Sequence, residues 1–117
     1  MLIYKIPGSK DIEIENIVFD YNGTIAIDGK ILGRVKESLL ELKKHVNVYI
    51  LTADTYGTAK KECINIGVQI LTFPKENAGE SKRNIVKNLG GEKTFCIGNG
   101  FNDIPMFKES ILSIAVV

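Results

Sequence analysis

Five short apolar runs, each stopped by a polar or turn residue and most of them separated by a helical pattern, constrain this chain more than any other feature. Ile17 to Phe19 ends at Asp20, Val46 to Leu51 ends at Thr52, and Val68 to Leu71, Thr94 to Ile97 and Leu112 to Val116 follow. Runs this short and this continuously apolar read as strands buried on both faces, the condition of a parallel sheet. Between them apolar residues fall at helical spacing: Val35, Leu39, Leu40 and Leu42, then Ala59, Cys63, Ile64 and Ile66, closed by Gly67. A third set, Ile85, Val86 and Leu89, is closed by Gly90-Gly91. Alternating strand and helix implies right-handed crossovers and an α/β, doubly wound (Rossmann-like) five-stranded parallel sheet with helices on both faces. Ahead of it Leu2 to Ile6 alternates, Pro7-Gly8 breaks the pattern, and Ile12 and Ile14 resume it, which predicts a short N-terminal β-hairpin.

A chain of 117 residues holds one such domain, spanning 1–117, with a real core and no length for a second. The only linker-like stretch is Pro7 to Lys10. Net charge is +1, from 15 basic and 14 acidic residues without a one-sign block, so nucleic acid is not an expected partner. No stretch approaches the roughly 18 to 20 apolar residues of a membrane span, and the opening MLIYKIPGSK is no signal sequence. The expectation is a cytoplasmic protein with no membrane partner. Cys63 and Cys96 lack any metal-ligand spacing and read as reduced core residues. His45, following Lys43 and Lys44 at a helix end, reads as structural.

In a doubly wound sheet the ligand site lies beyond the carboxyl ends of the strands. Asp20, Thr52 and the segment Gly98 to Asp103 each directly follow an apolar run, so an acid, a hydroxyl and a Gly-rich acidic loop converge at one edge. In IVFDYNGT the acid sits at a strand tip, and the turn after it offers Gly23, the Thr24 hydroxyl and backbone N–H groups to phosphate oxygens. Taken alone, the same residues also fit an Asp-capped turn.

FDYNGT resembles the first motif of the haloacid dehalogenase (HAD) superfamily, in which the first Asp forms an aspartyl-phosphate and binds Mg²⁺. YILTAD looks like the second motif, ESKRNIVKNL like the third and IGNGFNDIPMF like the fourth, in family order. Asn102, Asp103, Pro105 and the ending ILSIAVV are similar to the phosphorylation domain of P-type ATPases, and the likeness runs from Ile17 to Val117. With no membrane helices and no nucleotide-binding insert in this chain, ion pumping is not expected. The resemblance implies Asp20, Thr52, Lys82 and Asp103 as catalytic residues. It implies phosphate contacts from Gly23, Thr24, Thr52, Ala53, Asn102 and Lys82, and a Mg²⁺ site of Asp20, Asn22, Asn99 and Asp103. Chemically the set is coherent, since a carboxylate approaching an anionic phosphoryl group needs cations to offset repulsion.

Two positions depart from the family pattern. Most HAD phosphatases carry an Asp two residues after the nucleophile as general acid and base; here it is Asn22, which transfers no proton at neutral pH. Asn99 stands where the family usually has its first motif-four Asp, which removes one negative charge from the metal site. The expected function is therefore a slow Mg²⁺-dependent phosphohydrolase, and the alternative is a HAD-fold binding or regulatory module without turnover. A response-regulator-like receiver also uses a strand-end Asp, a Thr and a Lys, but its acidic pair before that Asp is missing. Between Asp20 and Thr52 there is length only for a hairpin at Asp28-Gly29 and a helix, and between Thr52 and Lys82 for a helix, a strand and a loop. That predicts a capless site, open to a small or large phosphorylated substrate or closed by another copy in a homo-oligomer. Tyr21 and Tyr56, close to the first two motifs, are candidates for its entrance.

Overall fold

All five apolar runs form strands of one parallel sheet in a computed structural model that describes residues 1–53 and 57–116. In chain order the elements are β1 (Leu2–Tyr4), β2 (Ile12–Ile14), β3 (Asn16–Asp20), β4 (Ala26–Ile27), β5 (Lys30–Ile31), α1 (Gly33–Leu42) and β6 (Asn47–Thr52). They continue with α2 (Thr58–Cys63), β7 (Gln69–Thr72), α3 (Ala78–Leu89), β8 (Thr94–Gly98), α4 (Ile104–Glu109) and β9 (Leu112–Ala115). The sheet order is β7-β6-β3-β8-β9. The chain steps outward from β3 to β6 and β7, then returns to β8 and β9, so the order reverses beside β3. A crevice opens at such a reversal, beyond the strand ends.

Strand alternation sorts the core into two layers. Ile17 and Phe19 of β3 join Leu39 of α1 and Ala59 and Cys63 of α2 on one face. Val18, Leu51 and Cys96 join Val86 of α3 and Met106 of α4 on the other. By period two, Asp20 follows Val18 toward α3 and α4.

The N-terminal hairpin is β1 against β2, with Leu2 opposite Ile14 and Tyr4 opposite Ile12. Its first strand stops at Tyr4, and Ile6 lies exposed in the connecting loop instead of continuing the alternation. Two apolar positions expected on buried helix faces are also exposed, Leu40 and Ile64. Successive helical residues lie about 100° apart, so a narrow stripe takes Leu39 or Leu40 but not both, and Cys63 or Ile64 but not both. At the opposite end of the sheet from the crevice, Asn16 is buried and donates to the Leu89 carbonyl at 3.1 Å and accepts from Asn47 at 3.1 Å.

On the face away from α3 and α4, α1 and β8 contribute to one surface. An apolar groove of about 350 Å³ runs there, lined by Phe19, Leu42, Ile97 and Val116 among others. Among the described residues no helix is long and apolar enough to cross a membrane.

Candidate active site

Lys82 is the centre of the arrangement. It sits one turn before Val86 on the buried side of α3, and only 3% of it is exposed. Its Nζ donates to Asp103 Oδ1 at 2.6 Å, to Asp20 Oδ1 at 3.2 Å and to Asn102 Oδ1 at 3.2 Å. An ammonium has three N–H donors, and all three are used. The Phe73 ring lies beneath it, 5.5 Å from Nζ to the ring centroid, an additional attraction for a desolvated cation.

Asp103 is fully buried. Its Oδ2 accepts from the backbone N–H groups of Asn99 at 3.1 Å and Gly100 at 3.0 Å, so the carboxylate folds the loop after β8 around itself. It occupies the residue before α4 but makes no side-chain cap there. Gly98 makes this possible, because a Cβ at that position would lie 2.4 Å from Asp103 Oδ2.

Asp20 emerges from the C-terminal end of β3 with 14% of its side chain exposed. Burial pushes its carboxyl above the usual carboxylate range; the Lys82 charge opposes that shift and Asp103 adds to it.

A cavity of about 340 Å³ opens in front of Asp20. Asn22, Thr52, Ala53, Lys82 and Asn102 line it, as do three residues the motif pattern did not single out: Phe73, Lys75 and Ala78. For Phe73 and Lys75 the signal was positional, since Phe73-Pro74-Lys75 directly follows β7 at the sheet edge where Asp20 ends β3.

Other expected site residues stand elsewhere. Thr24 lines the apolar groove on the opposite face, and its buried hydroxyl has no hydrogen-bond partner among the described residues. Gly23 donates its N–H to the Ala26 carbonyl at 2.8 Å, and the N–H groups of Thr24, Ile25 and Ala26 all return to the Tyr21 carbonyl. The loop thus consumes the donors expected to face phosphate, and Asn22 N–H is left without a backbone partner among the described residues. Asn99 stands against Gly23, outside the cavity lining. Asp103 lies beneath the floor with both oxygens bonded, which leaves it facing Lys82 and not the cavity. Tyr21 is buried, and its hydroxyl donates to the Gly29 carbonyl at 2.6 Å, so it anchors a turn and does not line the entrance. Tyr56 lies outside the described residues.

Residues 4–110 match the family model of the haloacid dehalogenase-like hydrolases. The chain belongs to that family. Over 97 residues, 80% of its length, this HAD chain is 35% identical to a soluble P-type ATPase-like phosphatase of Methanocaldococcus jannaschii. It spans 36% of that relative's own length. Among solved structures, a HAD-family protein of Streptomyces avermitilis superposes with a TM-score of 0.74 at 18% identity, covering 90% of this chain and 68% of the other. The cobalt-bound deoxy-D-mannose-octulosonate 8-phosphate phosphatase of Haemophilus influenzae gives 0.65 at 17% identity, with 88% and 68% covered. At those identities the two structures speak for the HAD fold alone.

Proposed function

We propose that this chain is a Mg²⁺-dependent phosphohydrolase in which Asp20 attacks the phosphorus of a phosphate monoester. The observation that carries the reading is Asp20 itself, held by Lys82 at the end of β3 and facing a cavity of about 340 Å³. One Asp20 oxygen bonds to phosphorus as the P–O bond to the leaving group breaks, giving an aspartyl-phosphate. Water then cleaves that acyl phosphate, regenerating the carboxylate and releasing phosphate. Lys82 fixes the Asp20 oxygen and offsets charge in the attack, while Thr52 and Asn102, which line the same cavity, would supply donors to the phosphoryl oxygens. Asn22 N–H is one further donor. Because the Asn22 side chain transfers no proton, the leaving oxygen takes its proton from solvent, which favours esters with good leaving groups and slow turnover.

Among the described residues no three His, Cys, Asp or Glu side chains gather as a metal cage, and Asp20 is the one carboxylate lining the cavity. Asp20 and the neutral oxygens of Asn22 would hold a hard ion such as Mg²⁺, for which oxygen donors are the fitting ligands. Such an ion supplies positive charge against the phosphoryl oxygens when bound. Its affinity should be weak.

The test is phosphate release from 4-nitrophenyl phosphate with and without Mg²⁺. The protein is expected to turn over only with the metal, and Asp20→Asn to abolish release. Equal activity in that variant overturns the reading. Absence of release from the unaltered protein favours a HAD-fold binding module.

A further inference from the structure

We infer that Lys75 selects phosphate monoesters whose leaving group carries a second anion, a carboxylate or another phosphate. The inference rests on the phosphohydrolase reading and adds a substrate class to it.

It starts from the charges around the cavity. Lys82 is the buried cation, and its three N–H groups are committed to Asp20, Asn102 and Asp103. Two carboxylates against one ammonium leave that cluster short of positive charge. Lys75 is the other cation on the cavity wall, it is exposed, and it makes no hydrogen bond or ion pair among the described residues. It is free to meet an anion.

Its position says which part of a substrate it meets. Proline biases the residue before it to extended backbone, so Phe73 carries the chain on past the end of β7 before the bend at Lys75, and residues two apart along an extended stretch share a side. Phe73 and Lys75 both face the cavity, while Pro74 is exposed and absent from its lining. Phe73 is half-buried under the Lys82 ammonium at the cavity's inner end. Lys75, exposed, stands nearer the mouth. A leaving group departs roughly in line with and opposite to the attacking oxygen, so attack by Asp20 from the floor points it outward. A volume of about 340 Å³ falls in the range of sites for whole small molecules, which leaves room for a leaving group in contact with the wall. Lysine is a point charge on a flexible stem and sets no planar geometry. It therefore selects charge over shape.

The experiment compares 4-carboxyphenyl phosphate with 4-carbamoylphenyl phosphate, two esters of nearly one shape that differ by the outer charge. The readout is the ratio of their kcat/KM values, carboxylate over amide, measured in the unaltered protein, Lys75→Met, Lys75→Arg and Lys87→Met, the last a control on exposed α3 surface. The ratio should fall roughly fivefold in Lys75→Met, the size of a partly exposed ion pair, and stay in Lys75→Arg and Lys87→Met. In the unaltered protein added salt should narrow it. A ratio indifferent to Lys75→Met overturns the inference while leaving the phosphohydrolase reading standing. No hydrolysis of either ester by the unaltered protein defeats both.

Discussion

Lys82 is tolerated in the interior because each of its donors has an acceptor and two of those acceptors are carboxylates. Removing the one cation leaves the buried Asp103 charge without its partner, typically at a cost of about 3 to 5 kcal/mol. Lys82→Met keeps the apolar stem and strands Asp103, so urea unfolding should report a loss of that order, together with loss of turnover. A stability change under about 1 kcal/mol would mean that Asp103 finds another partner. Asp20 pulls the other way. Its folded-state pKa lies above its unfolded value, so as pH rises the unfolded chain releases this proton first and the folded state loses stability between the two values. Asp20→Asn should therefore melt higher than the unaltered protein at pH 7, and the difference should vanish below about pH 3, where both states hold the proton. A lower melting temperature at pH 7 would show that the Lys82 ion pair outweighs burial. That Asp20, Thr52, Lys82 and Asn102 gather at one cavity was legible in the sequence, because they end strands or stand within recognisable motifs. Where Thr24 and Gly23 stand was not, because the loop after Asp20 spends its N–H groups on the Tyr21 and Ala26 carbonyls, and linear spacing does not reveal that.

At the scale of elements, the short hairpin of β4 and β5 beside the site is held from two sides. Asp28 and Gly29 both have positive φ, 52° and 80°, the backbone of a tight hairpin turn, and the Asp-Gly pair announced it. Tyr21 reaches this turn from below at Gly29, and Glu62 of α2 accepts the Ile31 N–H at 3.1 Å. The Asp20-to-Ile25 connection threads between the two faces of the sheet, which is why Asp20 faces the cavity while Tyr21 and Thr24 do not. Thr24 is the flaw in this piece, since its buried hydroxyl has no hydrogen-bond partner among the described residues. Thr24→Val keeps the branched shape and removes the stranded polar atom, and should raise the urea midpoint by an amount equivalent to about 1 kcal/mol. Destabilisation accompanied by lost turnover would instead return Thr24 to the phosphate-binding role its motif suggested. Strand and helix order was legible from apolar runs and helical spacing. The short α2 was harder to place, because Cys63, Ile64 and Ile66 offer two competing stripes.

For the molecule as a whole, apolar runs forecast a parallel sheet but not which strand lies at its centre. That follows from packing: β3, paired on both sides by β6 and β8, is the strand buried along nearly its full length. The two layers lie on opposite faces of this shared sheet, and each carries one cysteine, Cys63 with α1 and α2 and Cys96 with α3 and α4. Both thiols are free and buried, and burial pushes them up to about 11 and about 12 respectively, so neither is a thiolate at neutral pH and neither reacts without an opening of the structure. Their alkylation rates therefore report how the layers open. A chain of this size whose layers share every central strand should unfold as one unit, and the two cysteines should be labelled at matching rates in native buffer, with both rates falling together in the Asp20→Asn variant at pH 7. Faster labelling of Cys63 than of Cys96 would mean that the α1 and α2 layer opens on its own. Were the layers to open separately, that layer would go first, because α2 is short and a groove stands beside α1, whereas the Lys82 cluster ties α3 and the loop before α4 directly to β3.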